Sequence, residues 1–472
     1  MDGLGLDSMG LDAGDDDHEG EFGASSGGAF HEGEVAFDEV AQEADDDRDT
    51  ISLVVVGHVD AGKSTLNGHL LYALGYVDQK VMHRNERDSK VMGKASFAFA
   101  WLMDGNSDER ERGVTIDVGV NTFATEHRRI QLLDAPGHKD FVPNMISGAA
   151  QADAAVLVID GSTGEFESGF HAGGQTIEHT VLVRSLGVQQ LIVAVNKMDN
   201  VGYSQERFDE IKKEVGAFVK RAGYRAEDVS FVPVSGFKGE NLLERKEEAL
   251  NKWYCGPTLV ELIDRLHPPV RAVDQSMRMV VGDVFKTQGL GLCVAGKLDA
   301  GAVRVGDSLV CRPGDVEAVV RSVDKHGKRR RHARAGDSVT LALNGDREEL
   351  DNVRVGNVLC CPRNPIPMVC SFLAQILTFD IAVPLTIGFQ GVMYWQSVNE
   401  PVVLNRLLCL VDKQSGEISR KRPRAIGSSS TAIVQVTCQR AVCLERFADY
   451  KQLGRFTLRE GGSSVAAGTV MK

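Results

Sequence analysis

The segment Gly57-His58-Val59-Asp60-Ala61-Gly62-Lys63-Ser64 constrains the fold of this chain more than any other. It has the spacing G-x-x-x-x-G-K-[ST], with an apolar run at residues 51–56 before it and a helix-forming stretch at 64–74 after it. In a strand–loop–helix unit of this kind the glycines let backbone N–H groups turn inward. They then cradle phosphates at the helix N-terminus. The segment from Gly57 through Thr65 is therefore a candidate nucleotide-binding loop. Lys63 would neutralise the β/γ oxygens, and the Ser64 hydroxyl would ligate Mg²⁺. The bland alternative is a glycine-containing surface turn. It leaves the strand, the helix and the Lys-Ser pair unexplained together.

The chain beyond the loop supports the same architecture. Short apolar runs at 130–133, 154–159 and 191–195 have buried-strand length, and helical stretches such as 176–186 separate them. In 207–222, Phe208, Ile211, Val215, Phe218, Val219 and Ala222 fall on one helical face. Strand–helix alternation predicts an α/β P-loop domain at 49–268, with a doubly wound, mostly parallel sheet. After Pro268-Pro269 the helical period fades, and Val/Leu-rich segments alternate with Gly and Asp turns, as at 277–285, 292–298, 308–311 and 338–343. This predicts two small all-β barrels, 269–366 and 367–472, divided near Pro365-Ile366-Pro367. No tandem repeat is visible.

A P-loop alone does not choose a base. Asn196-Lys197-Met198-Asp199 does, at the end of the predicted strand 191–195, where open α/β sheets bind ligands. The Asp199 carboxylate can accept from guanine N1–H and the N2 amino group, a donor pair adenine lacks. Asn196 would hold the base edge and its loop, and the Lys197 stem would pack on the ring. Ser235, Gly236 and Phe237 would offer backbone contacts to the guanine oxygen. GTP and GDP are thus the expected ligands.

Asp134-Ala-Pro-Gly137-His138 ends the predicted strand 130–133. Asp134 would hold Mg²⁺ through water, and the Gly137 N–H would sense the γ-phosphate. His138 would orient the hydrolytic water, a task a Gln performs in other GTPases. The alternative for His138 is a structural loop histidine. The run Asp108–Thr115 is a candidate switch: taken alone it reads as a solvated charged face, but Thr115 could complete Mg²⁺ coordination while GTP is bound.

Composition places these motifs. Residues 1–48 carry 16 acids and one Arg, a balance of −15, so the remaining 50 acids and 52 bases leave a body of +2. The acidic stretch has few aromatics and predicts a disordered tail. No apolar run reaches the ~18 residues of a membrane helix, and no secretory leader is visible. The nine cysteines include no Cys-x-x-Cys pair and none precedes residue 255, which predicts reduced core thiols and a cytoplasmic location. Two basic clusters, Lys325–Arg334 and Arg420–Arg424, are candidate RNA-phosphate contacts, with soluble basic loops as the alternative.

The motif segments 57–65, 109–117, 134–141 and 196–199 resemble the translational GTPases of the elongation factor one-alpha group, and the likeness extends from about residue 51 to the end, including Leu453–Arg459. The resemblance implies a ribosome-activated GTPase with a GTP-binding domain and two barrels, in which ribosomal RNA pushes His138 into its active position. Within the group, residues 93–104, 142–145, 164–170 and 173–176 are most similar to the ribosome-rescue branch. Residues 410–416 and 421–424 resemble both rescue and termination factors. Asp140 follows the rescue and elongation pattern. That branch implies a partner, Pelota, carried to the empty A site of a stalled ribosome in no-go and non-stop mRNA surveillance. It implies a monomer or a heterodimer with Pelota. Three other readings stand beside it: a termination GTPase, an aminoacyl-tRNA carrier, and a metabolic subunit such as that of sulfate adenylyltransferase.

Overall fold

The computed structural model describes residues 48–91, 98–103, 109, 115–170, 174–412, 415 and 417–472. The acidic stretch, most of the Asp108–Thr115 run and parts of the rescue-like stretches at 93–104, 173–176 and 410–416 lie outside the described residues.

The first sheet has six strands: β1 (Thr50–Gly57), β2 (Gly119–Ala124), β3 (Arg129–Asp134), β4 (Ala154–Asp160), β5 (Gln190–Asn196) and β6 (Val229–Pro233), in the order β2-β3-β1-β4-β5-β6. All pairings are parallel except β2 on β3. Every residue of β1 is buried, as expected of a Val/Ile-rich strand covered on both faces. The helices of this domain include α1 (Lys63–Ala73), α2 (Gln79–Val91), α3 (Val142–Ala150), α4 (Glu165–Phe170), α5 (Gln175–Leu186) and α6 (Gln205–Arg221). Along α6, Phe208, Ile211, Val215, Phe218 and Val219 are buried as their spacing predicts, and the Ser204 side chain caps its start. The sequence reading missed β2. Its residues Gly-Val-Asn-Thr-Phe-Ala leave only Phe123 buried, which is what an antiparallel edge strand requires and what an apolar-run criterion overlooks.

Two antiparallel barrels complete the chain. In the first, six strands close a ring where Ser308–Arg312 pairs with both Val358–Cys360 and Val316–Lys325. In the second, Gln390–Trp395 closes the ring between Val398–Val411 and Arg455–Glu460. Two expectations need correction. The segment 277–285 is not one strand: it breaks after Val280, and Val281 and Gly282 turn instead to bond with Asn357 and Ala295. The first part of the Lys325–Arg334 cluster, through Arg330, is a hairpin rather than a loop, and His332–Arg334 pairs with Ala302–Arg304. The hairpin turns at His326-Gly327, both at positive φ, as a two-residue hairpin with right-handed strand twist demands. Lys325 itself is paired with Asp337 at 2.9 Å. Of the cysteines, Cys293, Cys311, Cys360, Cys409, Cys438 and Cys443 are buried, whereas Cys255 and Cys370 are exposed.

Candidate functional site

The parallel sheet brings four separate segments to one edge. The P-loop follows β1, Asp134 ends β3, Asn196 ends β5, and Ser235 follows β6. Together they line a cavity of about 540 Å³ that includes Lys63, Ser64, Thr115, His138, Asp199 and Phe237.

The P-loop geometry depends on two glycines. Gly57 has φ 152°, and a Cβ there would lie 2.3 Å from the Val158 carbonyl oxygen on β4. Gly62 caps α1 in the left-handed region at φ 87°. Asp60 also adopts positive φ. Lys63 is buried, and its Nζ donates to the carbonyls of Gly57 (3.2 Å) and His58 (2.8 Å). Burial lowers its pKa to about 8, against the pull of Asp134 and Asp60.

Below the loop the oxygens gather. Ser64 Oγ and Thr115 Oγ1 are 3.0 Å apart. Asp134 is fully buried, and Asn67 Nδ2 donates to its Oδ1 at 2.8 Å. Its Oδ2 has no hydrogen bond of good geometry. Desolvation raises its pKa to about 6, opposed by Ser64, Lys63 and Asn67. Glu109, in the run read from the sequence as a candidate switch, is buried, unlike a residue on a solvated charged face. Its Oε1 accepts from the backbone of Ile116 (2.9 Å) and Asp117 (3.2 Å), tethering the backbone next to Thr115.

On the base side, Asn196 ties three loops together. Its Nδ2 donates to Ala61 O (2.8 Å) and its Oδ1 accepts from Gly236 N (2.8 Å), so the P-loop and the 235–237 loop are joined through one amide. Lys197 adopts the left-handed region and its Nζ pairs with Asp160 at 2.7 Å. The half-buried Asp199 has an Oδ1 without a hydrogen-bond partner. Ser235 is buried, whereas the Phe237 side chain is half exposed at the cavity rim.

His138 is partly exposed at the opposite rim, next to the buried Gly137. Its Nδ1 accepts from Asp140 N at 3.3 Å, and its ring lies 5.8 Å from that of Phe141. The Asp140 Oδ2 lies 3.4 Å from the same nitrogen.

Several site residues escaped the sequence reading. Asn67, Asp160, Asn200 and Ala100 brace or line the cavity. Gln175 Oε1 accepts from Val59 N at 3.3 Å. No motif spacing marks them, although Asn67 sits one helical turn after Lys63 and so could have been found from the helix alone.

Among the described residues, no helix is long and apolar enough to cross a membrane. Residues 48–269 match the model of the Elongation factor Tu GTP binding domain, and residues 371–471 match the GTP-eEF1A C-terminal domain-like family. The chain is 46% identical to Protein HBS1 of Drosophila melanogaster over 91% of its own length and 64% of that protein's, so it spans just under two thirds of this relative. It is 41% identical to Elongation factor 1-alpha of Pyrobaculum aerophilum, over 89% of this chain and 94% of that one. The fold is similar to the Ski7 GTPase-like domain of S. cerevisiae bound to GDP and inorganic phosphate (TM-score 0.74, 18% identity, 90% of this chain and 97% of that chain). Two barrels behind a P-loop domain, with likeness to Elongation factor 1-alpha over 89% of this chain, make it a member of the elongation factor 1-alpha family of GTP-hydrolysing translation factors.

Proposed function

We propose that the chain is a ribosome-rescue GTPase that works with Pelota on stalled ribosomes. The observation that carries the branch is the likeness to Protein HBS1, at 46% over 91% of this chain. The Val142-Pro143-Asn144-Met145 segment supports it, and Asp140 follows the rescue and elongation pattern. The GTP form would carry Pelota to an empty A site, and hydrolysis would release the GTPase. We assign the GTP-binding domain to residues 49–268 and the barrels to 269–366 and 367–472.

In the nucleotide site, Asp199 Oδ1 lacks a donor and would accept from guanine N1–H and N2–H. The Lys197 stem would lie on the ring. The backbone of Ser235-Gly236-Phe237 would meet the guanine oxygen. The P-loop amides from His58 through Thr65 and the Lys63 ammonium would hold the phosphates. Ser64, Thr115 and Asp134 form an all-oxygen donor set, and the orphaned Asp134 Oδ2 suits a hard cation, so the residues fit Mg²⁺. When bound, that ion would neutralise charge on the β and γ oxygens. The Gly137 N–H would contact the γ-phosphate. His138 would orient the attacking water, whose oxygen displaces GDP from the γ-phosphorus in line while its proton passes to the released phosphate.

Titrating the purified chain with Pelota, release factor one and aminoacyl-tRNA in parallel, each with a non-hydrolysable GTP analogue and with GDP, tests the branch. GTP-dependent binding to Pelota alone is expected. Preference for either other ligand moves the protein to the termination or tRNA-carrier branch. Binding to none of the three refutes the translational partner assignment.

A further inference from the structure

The loop that follows β6 is held against α1 by a side chain that belongs to none of the nucleotide motifs. A Cβ at Gly236 would sit 3.1 Å from Leu66 Cα, and one at Gly239 would sit 2.6 Å from His69 Cε1 and Nε2, so the loop lies directly on the helix. Between these two approaches, His69 Nδ1 stands 2.8 Å from Gly236 O. A carbonyl oxygen only accepts, so Nδ1 carries the hydrogen and donates it. Desolvation lowers the pKa of the half-buried ring, against the pull of the Gly236 and Phe237 backbone, so at pH 7 the ring is the neutral Nδ1–H tautomer.

The ring is also fixed from its face. Phe99 stacks on it with centroids 4.1 Å apart and 5° between the planes. Phe99 is seated in turn by Gly68, the neighbour of His69 in α1: a Cβ there would lie 2.0 Å from the Phe99 carbonyl oxygen. Tyr72, one turn further along α1, packs at 6.5 Å from His69 and 6.0 Å from Phe99. The donor is thus aimed at its acceptor by a side chain that packing holds in place.

What this contact fixes is the direction of one peptide unit. The bond from Gly236 to Phe237 is trans, and the C=O and N–H of a trans peptide point opposite ways. With Gly236 O turned to His69, the Phe237 N–H is turned away from it, and Phe237 lines the nucleotide cavity. The preceding unit is fixed separately, because Gly236 N donates to Asn196 Oδ1. We infer that His69 is a positioning residue for base selection: by holding Gly236 O it aims the Phe237 N–H at an acceptor on C6 of the purine. This rests on the reading that the 235–237 backbone meets the guanine oxygen. Selection is then divided between two groups. Asp199 reads the hydrogens on N1 and N2, and the amide held by His69 reads the oxygen on C6. An N–H donor suits a 6-oxopurine and meets the amino group of adenine donor to donor. One helix serves both ends of the nucleotide, Lys63 at the phosphates and His69 at the base.

The test compares the affinities of the full chain for GDP, for 6-thio-GDP and for inosine diphosphate. The second differs from GDP only in its weaker acceptor on C6, and the third only in lacking the 2-amino group. His69→Phe keeps a ring to stack on Phe99 and removes the donor. His69→Asn removes the ring and keeps an N–H near the Nδ1 position. Wild type should prefer GDP over 6-thio-GDP by about fivefold, the worth of one hydrogen bond. His69→Phe should lose most of that preference and keep the GDP-to-inosine-diphosphate ratio, and His69→Asn should restore it. A merely structural role would weaken all three nucleotides together and move neither ratio, which overturns the inference. If His69→Phe does not fold, ¹⁵N NMR of the wild-type ring, assigned against His69→Asn, carries the test: the Nδ1–H tautomer is expected, and an Nε2–H tautomer overturns the contact. A wild-type chain that does not distinguish GDP from 6-thio-GDP instead overturns the guanine-oxygen reading beneath it.

Discussion

His138 accepts from the Asp140 N–H through Nδ1 and lies at the cavity rim next to the buried Gly137. His138→Ala should keep GTP affinity and lose most ribosome-stimulated hydrolysis, a loss of about 10²-fold or more when a water-orienting group is removed. Single-turnover assays with and without ribosomes measure it, and normal stimulated turnover would take the role away from His138. Asp199 offers an unpartnered oxygen on the base side, and an amide there presents an NH₂ to the extra carbonyl of xanthine. Asp199→Asn should therefore shift preference from GTP toward xanthosine triphosphate. Unchanged guanine selectivity in competition binding would remove it from the base site. His179 supplies a third prediction at this scale. Burial among Lys63, His58 and Arg459 lowers its pKa to about 3. Between that value and the unfolded value near 6.5, the unfolded chain binds a proton the native one does not. Its contribution to stability is thus present above pH ~6.5 and falls as pH drops, by ~2 kcal/mol at pH 5. Asp134 and Asp299, raised to about 6 and about 7 chiefly by desolvation, act in the opposite sense. The readout is accordingly the difference between wild type and His179→Leu. Urea unfolding of the nucleotide-free chain at pH 7 and pH 5 should show the variant losing less stability than wild type, and equal losses would reject the assignment.

The element that organises the site is the turn from β1 into α1, and its tolerance is set by backbone rather than side chains. A Cβ at Gly57 would meet the Val158 carbonyl, part of a hydrogen-bonded strand that cannot give way. Gly57→Ala should abolish measurable binding of a GTP analogue, and retained affinity in a titration would show that the turn relaxes. This element was legible in the sequence because backbone geometry confines the residue types: only Gly suits the turn, and Lys followed by a hydroxyl residue suits its chemistry. The strand ends carrying Asp134 and Asn196 were legible for a related reason. Fully buried parallel strands read as short apolar runs, and their C-terminal residues fall on one edge of the sheet whatever their separation in sequence. β2 was hidden because an edge strand needs only one buried residue, Phe123. The bracing partners of Gln175 and Asn196 were hidden because they are chosen by tertiary proximity. Asn196 reaches Ala61, 135 residues away, and no local pattern encodes that distance.

Across the whole molecule, the charges that matter most are the ones composition cannot distinguish. The body's near balance of acids and bases says nothing of Asp153, which lies just before β4 and joins three parts of the chain. Arg271 donates to both of its oxygens at 2.8 Å, Lys297 Nζ reaches Oδ1 at 2.9 Å, and Ser52 N reaches Oδ2 at 2.9 Å. Arg271 lies in the segment leading into the first barrel and Lys297 on that barrel, so this carboxylate fastens the barrel to the base of β1. Desolvation alone would raise its pKa. Lys297, Arg271 and the Ser52 N–H outweigh that and hold it below the ordinary carboxylate value. A depressed carboxylate stabilises the fold above its unfolded pKa and loses that contribution as pH falls through the folded value, so at pH 7 it is complete. Removing one partner of such a network is costly because the others stay behind: Lys297 would remain buried beside Arg271 without its ion-pair partner. Asp153→Ala should therefore destabilise the chain by ~3–5 kcal/mol, read from urea unfolding at pH 7. Adding Lys297→Met removes the stranded ammonium while keeping its stem volume, so the double variant should recover part of the loss. Recovery would show that most of the single variant's cost is the abandoned charge rather than the lost pair. A single variant within ~1 kcal/mol of wild type would mean that apolar packing, and not this carboxylate, holds the first barrel in place.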